Sequence, residues 1–376
     1  MPGRYRPAAR LAARLLWFLA CPVKAALESG KARARPADLW AAIRDGLVSG
    51  KAPQDTLLQR SMAGGDRTRL RIIRDVPGDR QGMLALLALG EKSDRDLAQD
   101  KLAMAERLGE LGFPVPPTRA VVAAGQAPMA SGRPWNGEEK LLVKPLRGAA
   151  SHGMFSVQPL GGGWFSIDRG TPVDRSELER RLRLGARRDS LIVQPYIGPS
   201  ADTLDLSPDA PSVVRVSMLR AAPGSEAFVA SASLKILAPG GDVPHGTRDF
   251  LRAHITPGEG LLEEGFSFRE PGKRWPRVPW NGAPLSGRRL AQWPAVREMA
   301  IRASETLPGL PVIGWDIVLG AGGPLVLEAN TGVSLFQVEL WHLEHGIASP
   351  LPAVIEAWWR VSGGRAGELQ AEAGTA

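Results

Sequence analysis

The 376 residues carry a net charge of +8, with 44% hydrophobic and 23% charged residues, an ordinary globular composition in a chain long enough for two or three subdomains. Only nine of the 47 basic residues are lysine; the arginines scatter among Ala, Gly and Pro with no nucleic-acid motif, so nucleic-acid binding is set aside. A lone Cys21 excludes an internal disulfide and points to a reducing compartment, the cytoplasm.

Residues 1–92 read as a helical, Arg/Ala-rich region broken at Gly50-Lys51-Ala52-Pro53 and Ala63-Gly64-Gly65. Within it, RPAARLAARLLWFLACPVKAAL is basic and partly apolar. Its core from Leu15 to Ala20 is too short for a signal segment, Arg14 interrupts it and Pro22 follows. No run approaches the roughly 18 apolar residues of a spanning helix. Two readings stand: a helix packed on the body, or a basic amphipathic helix in peripheral contact with an anionic membrane.

Next, SDRDLAQDKLAMAERLGELGFPVPPT predicts one helix capped by Ser93 or Asp94, with Leu97, Leu102, Met104, Leu108 and Leu111 at near-helical spacing. Gly112 ends it, and Pro114, Pro116 and Pro117 prevent its return. Short β-like runs then alternate with helical stretches to residue 360, an α+β pattern. Residues 361–376 read as a flexible tail.

The first chemical stretch, EKLLVKPLRGAASHGMFSV, reads as strand, loop, strand. Lys144 ends the first strand, and the small residues of Gly148–Gly153 leave backbone N–H groups free to face an anion. It is not a P-loop, since neither GxxxxGK[ST] nor a following helix is present; a plain β-turn explains the same residues. LIVQPYI, from Leu191 to Ile197, reads either as a core strand or as one presenting backbone to an adenine ring. SVVRVSMLR and AFVASASLKIL then form two strands about a turn near Gly224. They bring Arg215 and Lys235 close to opposite each other, as snorkelling surface cations or as a pair around an anion.

GWDIVLGAGGPLVLEAN, Gly314 to Asn330, predicts a hairpin with its turn near Gly322. That register sets Asp316 against Glu328, with Asn330 on the same face. Like charges so placed repel and call for a cation. Three oxygen donors suit Mg2+ or Mn2+; the rival is a buried ion network with Arg215 or Lys235.

The order of these segments resembles the ATP-grasp superfamily and, through GWDI, GPLVLEAN, LFQ and RWPRVPWNGAPLSG followed by QW, its sugar-transfer-associated members, over about residues 93–350. The resemblance implies two α+β lobes clasping ATP, a small one at about 113–198 and a large one at about 199–360. It implies that Lys101 and Lys144 hold phosphates under a loop containing Gly148, Ser151, His152 and Gly153. Gln194, Pro195 and Tyr196 would line the adenine pocket; Asp316, Glu328 and Asn330 would bind magnesium; Arg215 and, less closely matched, Lys235 would face the transferring phosphate. Ala149, Ala150 and His152 depart from the family's phosphate loop, and GGDVPHGTRDFLRAHI departs where the acceptor site is expected. The implied activity is an ADP-forming carboxylate ligase that passes an acyl phosphate to an amine or other nucleophile, in surface-glycan or secondary-metabolite assembly. A small-molecule or sugar kinase and a non-catalytic binding protein are the alternatives. His342 and His345 read as structural, His245 and His254 flank the acceptor segment, and Trp358 with Trp359 reads as packing for the last helix.

Overall fold

The computed structural model describes residues 83, 86–123, 135, 137–147, 153–187, 189–243, 250–267, 270 and 273–362. The predicted N-terminal helical region up to residue 82, with its membrane-contacting stretch and Cys21, lies outside these residues. So do Gly148, Ser151, His152, His245 and the tail beyond Ser362.

The helix expected from Ser93 is two helices, α1 (Lys92–Gln99) and α2 (Lys101–Glu110). Asp100 divides them: it is extended (φ −93°, ψ 100°), and its carboxylate accepts from the amides of Leu102 and Ala103. An aspartate that can satisfy the free N–H groups of a new first turn favours restarting a helix over continuing one. Asp94, expected as a cap, instead accepts from Gly309 N at 2.7 Å. The restart sets Lys101 in the first turn of α2.

One sheet has the order β1-β6-β2-β3-β4-β5, from β1 (Ala120–Val122), β2 (Leu141–Pro145), β3 (Phe155–Gly161), β4 (Trp164–Ile167), β5 (Val173–Asp174) and β6 (Leu191–Pro195). Alternation on β2 and β6 sends Leu141, Val143, Leu191 and Val193 into a core shared with Leu178 and Leu182 of α3 (Arg175–Ala186). Leu142 and Lys144 therefore face the other way.

The second sheet, β10-β9-β8-β7-β11-β12, comprises β7 (Val213–Arg220), β8 (Ala227–Leu237), β9 (Phe250–Ile255), β10 (Leu262–Phe266), β11 (Val312–Gly320) and β12 (Gly323–Asn330). Ile313, Trp315, Ile317 and Leu319 enter a core with Val296, Ala300 and Ala303 of α4 (Trp293–Ser304) and with Met104 and Leu108 of α2. Gly314, Asp316 and Val318 occupy the opposite face of β11. The final helix, α6 (Leu351–Ser362), buries Trp358, whose indole donates to Arg220 O at 2.8 Å, while Trp359 is half exposed. Only one of that pair packs inward.

These elements belong to one compact unit; a second contains residues 266–274 and 334–349. In the second, α5 (Leu335–Glu344) carries His342, and His345 follows it. Their Nδ1 atoms bond the carbonyl oxygens of Val338 and Trp341 at 2.8 and 2.7 Å, and Arg274 pairs with Glu344.

Among the described residues no helix is long and apolar enough to cross a membrane.

Candidate active site

The hairpin of β11 and β12 has the register its sequence predicts: Asp316 stands opposite Glu328, and Gly314 opposite Asn330. The register slips by one residue between Asp316 and Ile317, so Leu327 is a bulge. The extra residue leaves Val326 and Ala329 with the core and turns both Leu327 and Glu328 into the cleft.

Arg215 of β7 lies directly across from Asp316. Its Nε and Nη2 donate to the two carboxylate oxygens at 2.6 and 2.8 Å, the bidentate pairing that a guanidinium fork favours. Lys235 of β8 sits opposite Val213, two residues from Arg215 and on the same face, and donates to Asp316 Oδ1 at 2.8 Å. Gly314 makes this possible: a methyl there would lie 3.2 Å from both Nη1 of Arg215 and Cγ2 of Val333. Burial alone would push the Asp316 carboxyl up, but Arg215 and Lys235 hold it far below the usual carboxylate range.

Glu328 has weaker company. Lys101 Nζ lies 3.6 Å from its Oε2 and donates to Leu146 O at 3.3 Å. The Asn330 amide lies 3.3 Å from Asp316 Oδ2 and 3.4 Å from Glu328 Oε1.

Lys144 differs from all of these. It is 7% exposed, and its ammonium has no hydrogen-bonding or ion-pair partner among the described residues. Burial pushes its pKa down to about 8, against the attraction of Glu328. Lys235 is likewise lowered to about 8, by burial and then by Arg215.

These groups border a cleft of about 980 Å3, counting its open mouth. Lys101, Lys144, Lys235, Asp316 and Glu328 line it together with Leu142, Tyr196, Val243, Phe250, Val318 and Leu327. Of the residues expected near the base, Tyr196 faces the cleft. Gln194, on the same sheet face as its pair Leu142, is not among the lining residues: its amide donates to Pro116 O at 3.1 Å. Pro195 pairs with Leu141 within the sheet. Gly153, the described end of the expected phosphate loop, has φ 74°.

The donor set fits Mg2+ or Mn2+. One oxygen of each acid lies within hydrogen-bonding reach of a single Asn330 atom, so the three side chains converge, and all three offer hard oxygen donors. No group of three or more His, Cys, Asp and Glu among the described residues could hold a metal, so substrate oxygens would have to complete the shell. The arginine and lysine weighed as rivals to a metal are there as well: Asp316 is already neutralised by protein cations.

Sequence reasoning found Lys144 as a strand-end cation but missed the other polar residue in the cleft, Asp242. Its partners come from Lys140, Ser156 and Arg169, and no local pattern announces such distant contacts.

Two antiparallel sheets bearing this cleft define an ATP-grasp fold. The chain belongs to the sugar-transfer associated ATP-grasp family, whose model matches residues 88–342. Among solved structures it is similar to the D-alanine–D-alanine ligase from Bacillus anthracis complexed with ATP, at 14% identity over 73% of this chain and 70% of that one, with a TM-score of 0.45. It is similar to D-cycloserine synthetase DcsG at 22% identity over 74% and 80%, TM-score 0.43, and to VanG D-Ala:D-Ser ligase from Enterococcus faecalis at 14% over 80% and 70%, TM-score 0.45. A search of curated proteins found no match.

Proposed function

We propose that this chain is an ATP- and magnesium-dependent ligase that activates a carboxylate as an acyl phosphate for attack by an amine or other nucleophile, releasing ADP. The observation that carries the reading is Lys144: a buried ammonium, without a hydrogen-bonding or ion-pair partner among the described residues, in a cleft that is also lined by apolar and aromatic side chains. Burying a cation without a close partner is costly, and an arriving polyphosphate offsets that cost while the apolar and aromatic lining receives the base. The two lobes would then be residues 113–198 and 199–360.

Lys101 and Lys144 would hold the phosphates, and Arg215 with Lys235 would face the transferring phosphoryl group and the acid. A carboxylate oxygen attacks the γ-phosphorus; the bond from that phosphorus to the bridging oxygen breaks, and ADP leaves with the electron pair. The amine then attacks the acyl carbon, the carbon–oxygen bond to phosphate breaks, and inorganic phosphate leaves while the amine's proton passes to solvent. Asp316, Glu328 and Asn330 would hold Mg2+ or Mn2+, which when bound supplies positive charge to the phosphate oxygens. The protein's contribution is positioning and fixed positive charge, the main needs of phosphoryl transfer. No side-chain nucleophile is required.

The test is ATP turnover against pooled acids and amines, with products resolved as ADP or AMP. ADP together with an amide supports the ligase. A phosphorylated alcohol would assign a kinase, AMP would assign adenylation, and absence of magnesium-dependent ATP binding by calorimetry would leave a binding protein of another kind.

A further inference from the structure

Asp242 follows β8 and takes no part in the chemistry above, yet it is as buried as any site residue, at 4% exposed. Its Oδ1 accepts from Arg169 Nε at 2.5 Å, and its Oδ2 accepts from Lys140 Nζ at 2.6 Å and from Ser156 Oγ at 2.9 Å. These donors come from three places on the first sheet: just before β2, on β3, and just after β4. The backbone of the same residue is held too, because the Tyr196 hydroxyl donates to Asp242 O at 2.8 Å and to Asp209 O at 3.2 Å. Lys140 lies over the Tyr196 ring, 4.1 Å from its centre.

Reaching this arrangement strains the chain. Asp168 and Arg169 have φ of 48° and 59°, a left-handed conformation that residues with side chains avoid and that persists only where the surroundings over-determine it. The strained pair has three contacts to show for it. Asp168 accepts from Ser156 N at 2.7 Å, and Arg169 reaches Asp209 at 2.9 Å as well as Asp242.

Tyr196, Asp242 and Val243 all line the cleft. We infer that Asp242 is a positioning residue that fastens Tyr196 and the segment after β8 to the first sheet, so that the aromatic wall that Tyr196 gives the cleft is formed before nucleotide arrives. This rests on the ligase reading in that the occupant of the wall is a nucleotide base. A purely structural ion cluster would stabilise the fold without affecting that wall.

The experiment measures magnesium-ATP affinity by calorimetry, melting temperature, and KM against kcat on the full chain. Its variants are Asp242→Asn, Tyr196→Phe, the two combined, and Arg169→Ala. Asp242→Asn keeps a partner for Ser156 but loses both ion pairs. It should raise Kd and KM for ATP by about tenfold, with kcat reduced far less, as expected when binding geometry is lost and chemistry is not. Tyr196→Phe should raise Kd by less, and combining it with Asp242→Asn should add little, since both act through one wall. Arg169→Ala, at a partly exposed position, should fold and raise Kd by about threefold. Variants that melt lower yet bind ATP as wild type does would overturn the inference and leave the ligase reading standing. A wild-type chain that binds no magnesium-ATP would overturn both.

Discussion

Asp316 and Asp242 are built from the same parts. Each is a buried carboxylate gripped by an arginine, a lysine and a neutral side chain: Arg215, Lys235 and Asn330 for one, Arg169, Lys140 and Ser156 for the other. Their surroundings differ. Arg169 also holds Asp209, so two cations face two carboxylates, and both cations reach solvent. Around Asp316 the nearby cations among the described residues are Arg215, Lys235, Arg252, Lys101 and Lys144, with Glu328 as the acid facing Asp316 across the hairpin. A balanced cluster ties segments of chain together; an unbalanced one beside an open cleft calls for an anion. Burial and ion pairing alone do not distinguish a site from a clasp, and charge imbalance with access does.

The largest test of that distinction is substitution of the two aspartates in parallel. Asp316→Asn should lower turnover by about 10²–10³-fold, the usual effect of removing one preorganised electrostatic contact, whereas Asp242→Asn should act mainly on ATP affinity. Asp316→Ala leaves Arg215 and Lys235 buried without their acid and should destabilise the fold by about 3–5 kcal/mol, read by thermal denaturation. Wild-type turnover in Asp316→Asn would place the chemistry elsewhere.

Lys144 should show the opposite sign. Lys144→Met removes a buried charge with no hydrogen-bonding or ion-pair partner among the described residues, so the ligand-free protein should gain about 1–4 kcal/mol while magnesium-ATP binding weakens by at least about tenfold. A loss of stability in that variant would mean that its ammonium is well satisfied in the folded chain.

A smaller, pH-dependent effect follows from the same lysine. Its folded pKa is about 8, against 10.5 unperturbed. Between those values the unfolded chain holds more protons than the folded one, so the stability of the ligand-free protein should rise with pH across that window and level off above it. Below pH 8 both states are protonated and the penalty for burying the charge is present in full. Phosphate beside the ammonium restores the proton, so ATP binding at pH 8 to 9 should take up protons. Calorimetry in buffers of different ionisation enthalpy measures that uptake, and Lys144→Met should shrink it.

The sequence made the hairpin readable because its information is local. Period-two alternation and a glycine turn set Asp316 against Glu328 with little room for another register. Arg215 and Lys235 were legible as polar interruptions of apolar strands, and a turn near Gly224 put them on one face. The break at Asp100 was hidden because apolar spacing continues through it, although an aspartate just before a lysine-led helical run is a cap signal. The Leu327 bulge had no signal, since Leu325, Leu327 and Ala329 alternate as an unbroken strand would. Asp242 was the least legible, because its donors lie 73 to 102 residues away and become neighbours only once the first sheet has formed.

Gly314 offers the finest test, because it separates the posture of Arg215 from its charge. The glycine leaves space for the guanidinium to lie flat across β11 onto Asp316, and an alanine methyl would meet Nη1 at 3.2 Å and Cδ at 3.3 Å. Those contacts are tight without being impossible, so the arginine can give way by a few tenths of an ångström. Gly314→Ala should therefore cost about 1–3 kcal/mol at most in stability, because the strand pairing and both charges survive. Its effect on turnover should be larger in proportion, since the bidentate geometry at 2.6 and 2.8 Å is what the methyl disturbs. Arg215→Lys supplies the complementary case, with the charge kept and the fork lost. If Gly314→Ala melted early yet turned over normally, the role of the glycine would be packing against Val333 rather than seating the arginine.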